Sequence, residues 1–429
     1  MELGMPVFHP SIPGHVLLRP GFVLDKSTLT RLNELHVGPI WIKYPALEEI
    51  ARFINVEVTM EHAQLSSLIG RTLDKLADPL FSELDFRVYA DAVKGMLGKL
   101  RACNESALLI NELVGCESPL AMHSSTVCFI SLLMGLKLGE YIVEQRPKVS
   151  PKYAKGVENL GVAALFHDMG MLKLAPEVVE AWKKTGDESD PRYQRHCAIG
   201  YELLRGKVEP TTAATVLQHH QRYDGQGWPK IKETNGVMAG LSGEGIHVFA
   251  RILAVADLYD TLRNPPKGEW REDARVPIVA VLRQMLELAR KRVIDPIAYK
   301  ALLSVVPAFT PGTIVRLNNG QQAVVIDFDP MHPCRPRVRH IRYVGIDCPI
   351  DPENLRETYD LRERLDLAIV AAEGHAVKND TFEAADEHEF DLRVLALPKQ
   401  ATANPGQPRT GQPRTGQAKP LPKHLGKAA

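Results

Sequence analysis

The apolar run Leu160-Gly161-Val162-Ala163-Ala164-Leu165-Phe166 stops against His167 and Asp168. An unbroken nonpolar stretch of this kind predicts a helix buried on every side. An imidazole and a carboxylate placed where another Leu would continue it are costly unless something pairs with them. Among candidate partners a divalent metal is the strongest.

From about Asp91 to Val306 apolar residues recur three and four apart, which predicts a bundle of helices. Ser118-Pro119 reads as an N-cap and first-turn pair, opening a helix that carries His123 in its first turn. Pro210-Thr211-Thr212 opens another, which ends in His219-His220. Ile246 to Leu262 reads as a third, with Asp257 set among Leu253, Val255, Leu258 and Leu262. A bundle whose helices turn polar groups inward is a common way to build a metal site.

The flanks differ. Residues 1–90 mix short apolar alternations such as Val16-Leu17-Leu18 with Pro and Gly, predicting a small α+β module, with a helical connection from roughly Glu61 to Leu100. After Pro307, Thr313–Leu317 and Gln322–Ile326 flank Asn318-Asn319-Gly320, a hairpin signal, and Arg337 to Val344 supplies a further strand. The expected architecture is therefore mainly α: a helical core over 91–306, an α+β N-terminal module over 1–90 and a small β-rich extension over 307–370. Residues 399–429 repeat Gly-Gln-Pro-Arg-Thr and carry Lys and Arg without Asp or Glu, so a disordered basic tail is expected.

Composition adds limits. The 429 residues hold 52 basic and 52 acidic side chains, so no global charge draws the chain to DNA or to an anionic membrane, and an anionic ligand needs a local site. The most apolar stretch, Val127 to Leu138, contains Lys137 and is far short of the ~20 residues of a membrane span, so it reads as a core helix. The N-terminus shows no basic region followed by an apolar one, so no signal peptide is expected. The six cysteines form no C-x-x-C pair, which fits structural thiols in a reducing cytoplasm.

Seven residues on five predicted helices are candidates for one centre: His123, His167, Asp168, His196, His219, His220 and Asp257. A lone His on a helix is ordinarily a hydrogen-bonded core or surface residue; the set together is what points to metal. Imidazole and carboxylate without thiolate favour iron, manganese or zinc over magnesium or calcium. Asp168 beside His167 offers a carboxylate able to bridge two cations. Two such ions about 4 Å apart clamp the attacking and leaving oxygens of a phosphoryl centre and generate hydroxide near neutral pH, which implies hydrolysis. The following segment, Gln221 to Pro229, brings glycines for close backbone approach and Trp228 as a stacking face for a base.

The ordered motifs His123, His167-Asp168-Met169-Gly170, His196-x-x-x-Gly200, His219-His220, Asp224-Gly225-Gln226-Gly227-Trp228-Pro229 and Ala250 to Asp260 together resemble the HD-GYP domain, a branch of the HD metal-dependent phosphohydrolases. The resemblance covers roughly 115–265. It implies an all-α HD core, two iron or manganese ions on the seven residues with Asp168 as catalytic bridge, and a cytoplasmic enzyme. That enzyme would hydrolyse cyclic di-GMP to pGpG or GMP by in-line attack of a metal-bridging hydroxide. Substrate contacts are expected from Arg222, Gly227, Trp228, Pro229, Arg251, Lys267 and Arg271. The expected partner is a cyclic dinucleotide rather than DNA or a membrane, with protein contacts through the N-terminal module or the Gly-Trp-Pro loop, and a homodimer is an option.

The chain departs from the family pattern at several points. The family's His-Asp-x-Gly-Lys lysine is Met171, which supplies neither a cation nor a proton. His-His-Glu is His219-His220-Gln221, and the loop's Tyr is Trp228. Pro119 stands where some members place a glutamate for a third metal. The basic pattern after Asp257 is replaced by Arg263 to Arg271 with different spacing. The alternative reading is a degenerate domain that binds cyclic di-GMP as a receptor without cleaving it.

Overall fold

The computed structural model describes residues 2–9, 12, 15–38, 40–43, 47–77, 84–102, 119–232, 238–265, 275–341 and 357–383. The expected basic tail, Lys267 and Arg271 lie outside the described residues, as do Cys103, Cys116 and Cys348. Cys128, Cys197 and Cys334 are free and buried.

The first elements are short: β1 (Glu2–Leu3), β2 (Val7–Phe8), β3 (Val16–Leu18), α1 (Lys26–Glu34) and β4 (Ile42–Lys43). β1 pairs antiparallel with β4 and β2 with β3. Asp25 caps α1 by accepting from the Thr28 N–H at 2.7 Å. The expected single helical connection is two helices, α2 (Val56–Ala77) and α3 (Phe86–Ala102).

The bundle continues with α4 (Pro119–Lys137), α5 (Gly139–Glu144), α6 (Pro151–Ala154), α7 (Glu158–Phe166), α8 (Pro176–Thr185), α9 (Pro191–Leu204) and α10 (Pro210–Gln218). A two-stranded ribbon of β5 (Ile231–Lys232) and β6 (Met238–Ala239) precedes α11 (Val248–Arg263), α12 (Ile278–Arg290) and α13 (Pro296–Leu303). Proline opens α8, α9, α10 and α13, where its missing N–H costs nothing, and Asp190 and Asp295 cap two of these helices. α11 starts two residues later than its apolar pattern predicts because His247 caps it, its Nδ1 accepting from the Phe249 N–H at 3.1 Å.

α7 is the centre of the core. Leu160 through Phe166 are all buried, as the absence of a polar face requires, with α4, α10, α3 and α11 packed around them. Phe166 meets Tyr89 and Phe86 edge-on at 4.9 and 5.3 Å between ring centroids, a geometry that adds roughly 0.5–1.5 kcal/mol per pair beyond area burial. α4 runs 19 residues at a mean hydropathy of 1.5, longer than the expected apolar stretch, so by length and composition it passes for a membrane span. It is instead packed against α7, α11 and α2, with two thirds of it buried. His123 is in its second turn, one turn later than expected.

After α13 the chain builds a six-stranded sheet from β7 (Ile314–Leu317), β8 (Gln322–Val325), β9 (Arg337–Ile341), β10 (Thr358–Asp360), β11 (Ile369–Ala372) and β12 (His375–Ala376), in the order β10-β9-β8-β7-β11-β12. The β7–β8 hairpin turns at Gly320, whose φ of 85° is the left-handed conformation that glycine tolerates. Side chains alternate between two apolar faces. Val315, Leu317, Ala323 and Val325 join the helical core, while Val324, Ile326 and Ile341 pack on Ile50 and Phe53 of the 3₁₀ turn Glu48–Phe53.

Candidate metal centre

Helix ends position the centre. α7 stops at Phe166, His167 takes its C-cap position, and Asp168 caps the following 3₁₀ turn Met169–Lys173. That turn lies directly on α9: a Cβ on Gly170 would stand 2.0 Å from the carbonyl oxygen of His196, so only glycine permits the approach. His219 occupies the C-cap of α10, and His123 and Asp257 come from α4 and α11.

The buried rings share one device. Nδ1 of His167, His196 and His219 donates to the carbonyl three residues earlier, Ala164, Tyr193 and Val216, at 2.8, 2.8 and 2.6 Å. Nδ1 of His123 bonds to Asp260 Oδ2 at 2.7 Å. A carbonyl only accepts, so each Nδ1 carries a proton and each Nε2 points its lone pair into the common space, the usual arrangement behind a metal-ligating imidazole.

The convergence is close. His123 Nε2 and His167 Nε2 are 3.1 Å apart, and His196 Nε2 and His219 Nε2 are 3.3 Å apart. Asp168 lies between the two pairs. Its Oδ2 is 3.8 Å from His123 and 3.6 Å from His167, and its Oδ1 is 3.4 Å from His196 and 3.6 Å from His219. Asp257 Oδ1 completes the first group at 3.2 Å from His123. Asp168 Oδ1 is buried without a hydrogen bond of normal geometry among the described residues. Facing lone pairs and an orphaned carboxylate oxygen are what a cation in each half would satisfy, so these residues fit divalent metals.

Electrostatics separates the halves. Burial acts to lift the Asp168 carboxyl, but the surrounding imidazoles, His167 foremost, outweigh it and hold the group well below the usual carboxylate range. Burial likewise opposes the shift at Asp257, where hydrogen bonds from His123 and His167 prevail. Burial would drive the proton from His123 and His167, yet the neighbouring carboxylates raise both. His196 is pushed down to about 4 by burial, and His220 is also lowered by burial and by His219 and His196. The carboxylates therefore favour proton uptake at His123 and His167, whereas burial disfavours it at His196 and His220.

The segment after His220 forms the rim. Trp228 stacks on His220 with centroids 3.9 Å apart, and its backbone N–H donates to the His220 carbonyl at 3.1 Å. A Cβ on Gly227 would strike the Arg222 nitrogen at 2.1 Å, so the loop folds back on itself only with glycine there. Gln221 is buried and holds both sides of the loop, donating to the Pro229 carbonyl at 2.6 Å and accepting from the Leu241 N–H at 2.9 Å. A glutamate could not make the first of these bonds. Met171 packs with Val178, Tyr193 and Trp228 in a small apolar cluster. Lys173 points elsewhere, donating to the Leu76 carbonyl at 2.8 Å.

Of the expected substrate cations, the two among the described residues, Arg251 and Arg222, are engaged by other partners. Arg251 is buried, with its guanidinium bonded to Asp295, Tyr141, Gln145 and the Ile246 carbonyl, so it ties α11 to α13 and α5. A buried arginine in the first turn of a mostly buried helix needs such a partner set, and that leaves it no free donor edge for a phosphate. Arg222 is ion-paired with Asp224 on the rim.

Three residues join the site without having been singled out in the sequence. Asp260 orients His123 from one helical turn beyond Asp257, a spacing visible in Asp257-Leu258-Tyr259-Asp260. Cys197 Sγ lies 3.5 Å from His219 Nδ1 and forms one potential ligand group with His196, His219 and His220, while His123, His167 and Asp168 form the other. Glu188 Oε2 lies 3.7 Å from His220 Nδ1; burial, then Asp257 and Asp168, push its carboxyl up to about 8. A polar loop gives no periodic signal that would have marked it.

The HD domain family model matches residues 148–296. Over 153 residues the chain is 38% identical to the cyclic di-GMP phosphodiesterase response regulator RpfG of Xanthomonas campestris pv. campestris, covering 34% of this chain and 36% of that protein. Over 378 residues it is 25% identical to a cyclic di-GMP phosphodiesterase of Pseudomonas aeruginosa, covering 79% of this chain and 83% of that protein. A 3'3'-cGAMP-specific phosphodiesterase of Vibrio cholerae is 30% identical over 145 residues, 33% of this chain and 28% of that protein. The chain thus spans about a third of the length of the first relative and most of the second.

Proposed function

Because residues 148–296 belong to the HD domain family, we propose that the chain is a cytoplasmic, metal-dependent phosphodiesterase that hydrolyses cyclic di-GMP to pGpG or GMP. The relatives named as cyclic di-GMP phosphodiesterases support the substrate class, one of them over most of its length. The observation that carries the reading is Asp168, whose two oxygens face different imidazole pairs. His123, His167, Asp257 and Asp168 Oδ2 would hold one divalent cation; Asp168 Oδ1, His196, His219 and His220 would hold the other. Iron and manganese suit this nitrogen and oxygen donor set. Bound there, the pair supplies Lewis acidity toward phosphoryl oxygens and an activated water.

The remaining work falls to the chain's own residues. The backbone carbonyls of Ala164, Tyr193 and Val216 keep the rings aimed inward, and Asp260 does the same for His123. Trp228, already stacked on His220, offers its outer face and edge to a guanine, and Gly227 keeps the loop close to the rim. In the proposed organisation residues 91–306 carry this centre, with 1–90 and 307–370 as accessory modules.

Purified chain reconstituted with manganese or ferrous iron under reduction should cleave cyclic di-GMP, read by chromatography of the products, and Asp168→Ala should lose both metal and turnover. Wild-type protein carrying two ions per chain that leaves the dinucleotide intact would overturn the catalytic reading. Met171, packed among apolar side chains where the family has a lysine, supports a second reading: a receptor that binds cyclic di-GMP without cleaving it. Met171→Lys distinguishes the two, since a domain disabled only there gains hydrolysis.

A further inference from the structure

The seven motif residues leave one carboxylate at the centre unaccounted for. Glu188 sits in the short loop between α8 and α9, with its carboxylate Oε2 3.7 Å from Nδ1 of His220. Its backbone is held in place: α8 ends in the left-handed Gly186, the Ser189 N–H bonds to the Asp187 carboxylate at 2.8 Å, and Gln194 Nε2 donates to the Glu188 carbonyl at 3.0 Å. Its side chain is about a third exposed.

We propose that Glu188 is a further metal ligand, closing the outer side of the position that His196, His219 and His220 face from within. The proposal rests on the metal centre proposed above. Two ligand atoms on one cation at about 2.1 Å stand roughly 3.0–3.5 Å from each other. Glu188 Oε2 is 3.7 Å from His220 Nδ1, too long for a hydrogen bond and within a small side-chain rotation of a shared cation. The charge count agrees. The His123 half has two carboxylates, Asp168 Oδ2 and Asp257, plus Asp260 behind His123. Among the described residues, the His196 half has only Asp168 Oδ1 unless Glu188 is counted. With Glu188, each divalent ion meets at least one carboxylate of its own besides the shared Asp168.

The test counts ions rather than turnover. Full-length chain stripped with chelator is dialysed against stepwise Mn²⁺, and bound manganese is measured by plasma mass spectrometry. Wild type is expected to take two ions; Glu188→Gln is expected to keep the first and bind the second at least about tenfold more weakly. Glu188→Asp, which keeps the charge on a shorter arm, should fall between them. A Glu188→Gln isotherm superimposable on a two-ion wild-type isotherm overturns the proposal for Glu188 alone. A wild-type isotherm that saturates below two ions overturns the two-metal reading itself, and does so before any substitution is made.

Discussion

Trp228 lies flat against His220, the ring planes 21° apart. The indole is in turn wedged against Tyr193 and Met171, so the imidazole is held between a rigid loop and the other rings of the cluster. Trp228→Ala removes the wall and frees the ring. The expected result is a second manganese ion bound about tenfold more weakly, equivalent to roughly 1–1.5 kcal/mol, with Trp228→Phe retaining most of the affinity. Equal isotherms for Ala and wild type would show that the stack does not orient His220.

His123 and His167 carry raised affinities for protons because carboxylates face them. A cation taking their Nε2 lone pairs must displace those protons. Manganese binding at pH 7 should therefore release protons, and affinity should rise as pH increases through and above neutrality. Calorimetry in buffers of different ionisation enthalpy measures the release. The same heat in every buffer would contradict it.

Gly170 is the point where the 3₁₀ turn bearing Asp168 touches the α9 backbone. Gly170→Ala must push the turn off α9, because the clash is with a backbone carbonyl that no side-chain rotation relieves. Destabilisation of roughly 2–3 kcal/mol is expected in chemical denaturation, along with loss of one or both ions. Retained stability and metal would mean the two segments separate cheaply.

His62 is buried on α2 against Phe129, with only the Ser125 backbone favouring its charged form, and burial lowers it to about 4. The folded group binds its proton more weakly than the unfolded one near 6.5. No stability is lost above that value, and it drains away as pH falls from 6.5 toward 4, by at most roughly 3 kcal/mol. His62→Leu should flatten this part of the stability profile relative to wild type. Denaturant midpoints between pH 7 and 4.5 give the comparison, and parallel profiles would rule His62 out.

The helical core was legible because its signals are local: Leu160–Phe166 has no polar face, and proline or aspartate marks the start of α9, α10 and α13. The gathering of His123, His167, Asp168, His196, His219 and Asp257 was inferable because polar groups at those places need a shared partner. Arg251 was misplaced because a cation near a phosphate-type motif suggests a ligand contact. Its apolar neighbours Ala250, Ile252 and Leu253 were the better guide, since they put it in the core beside Asp295. Glu188 is set by a loop path, which no periodicity encodes.

His167 and His219 both stand at the carboxyl ends of helices, α7 and α10. The last turns of both helices aim partial negative charge at the same place as Asp168 and Asp257. The pocket is therefore anionic by construction, attracting cations and turning away phosphates. On the proposed reading, a phosphodiester would dock only after the cations are in place, a binding order of metals first and nucleotide second.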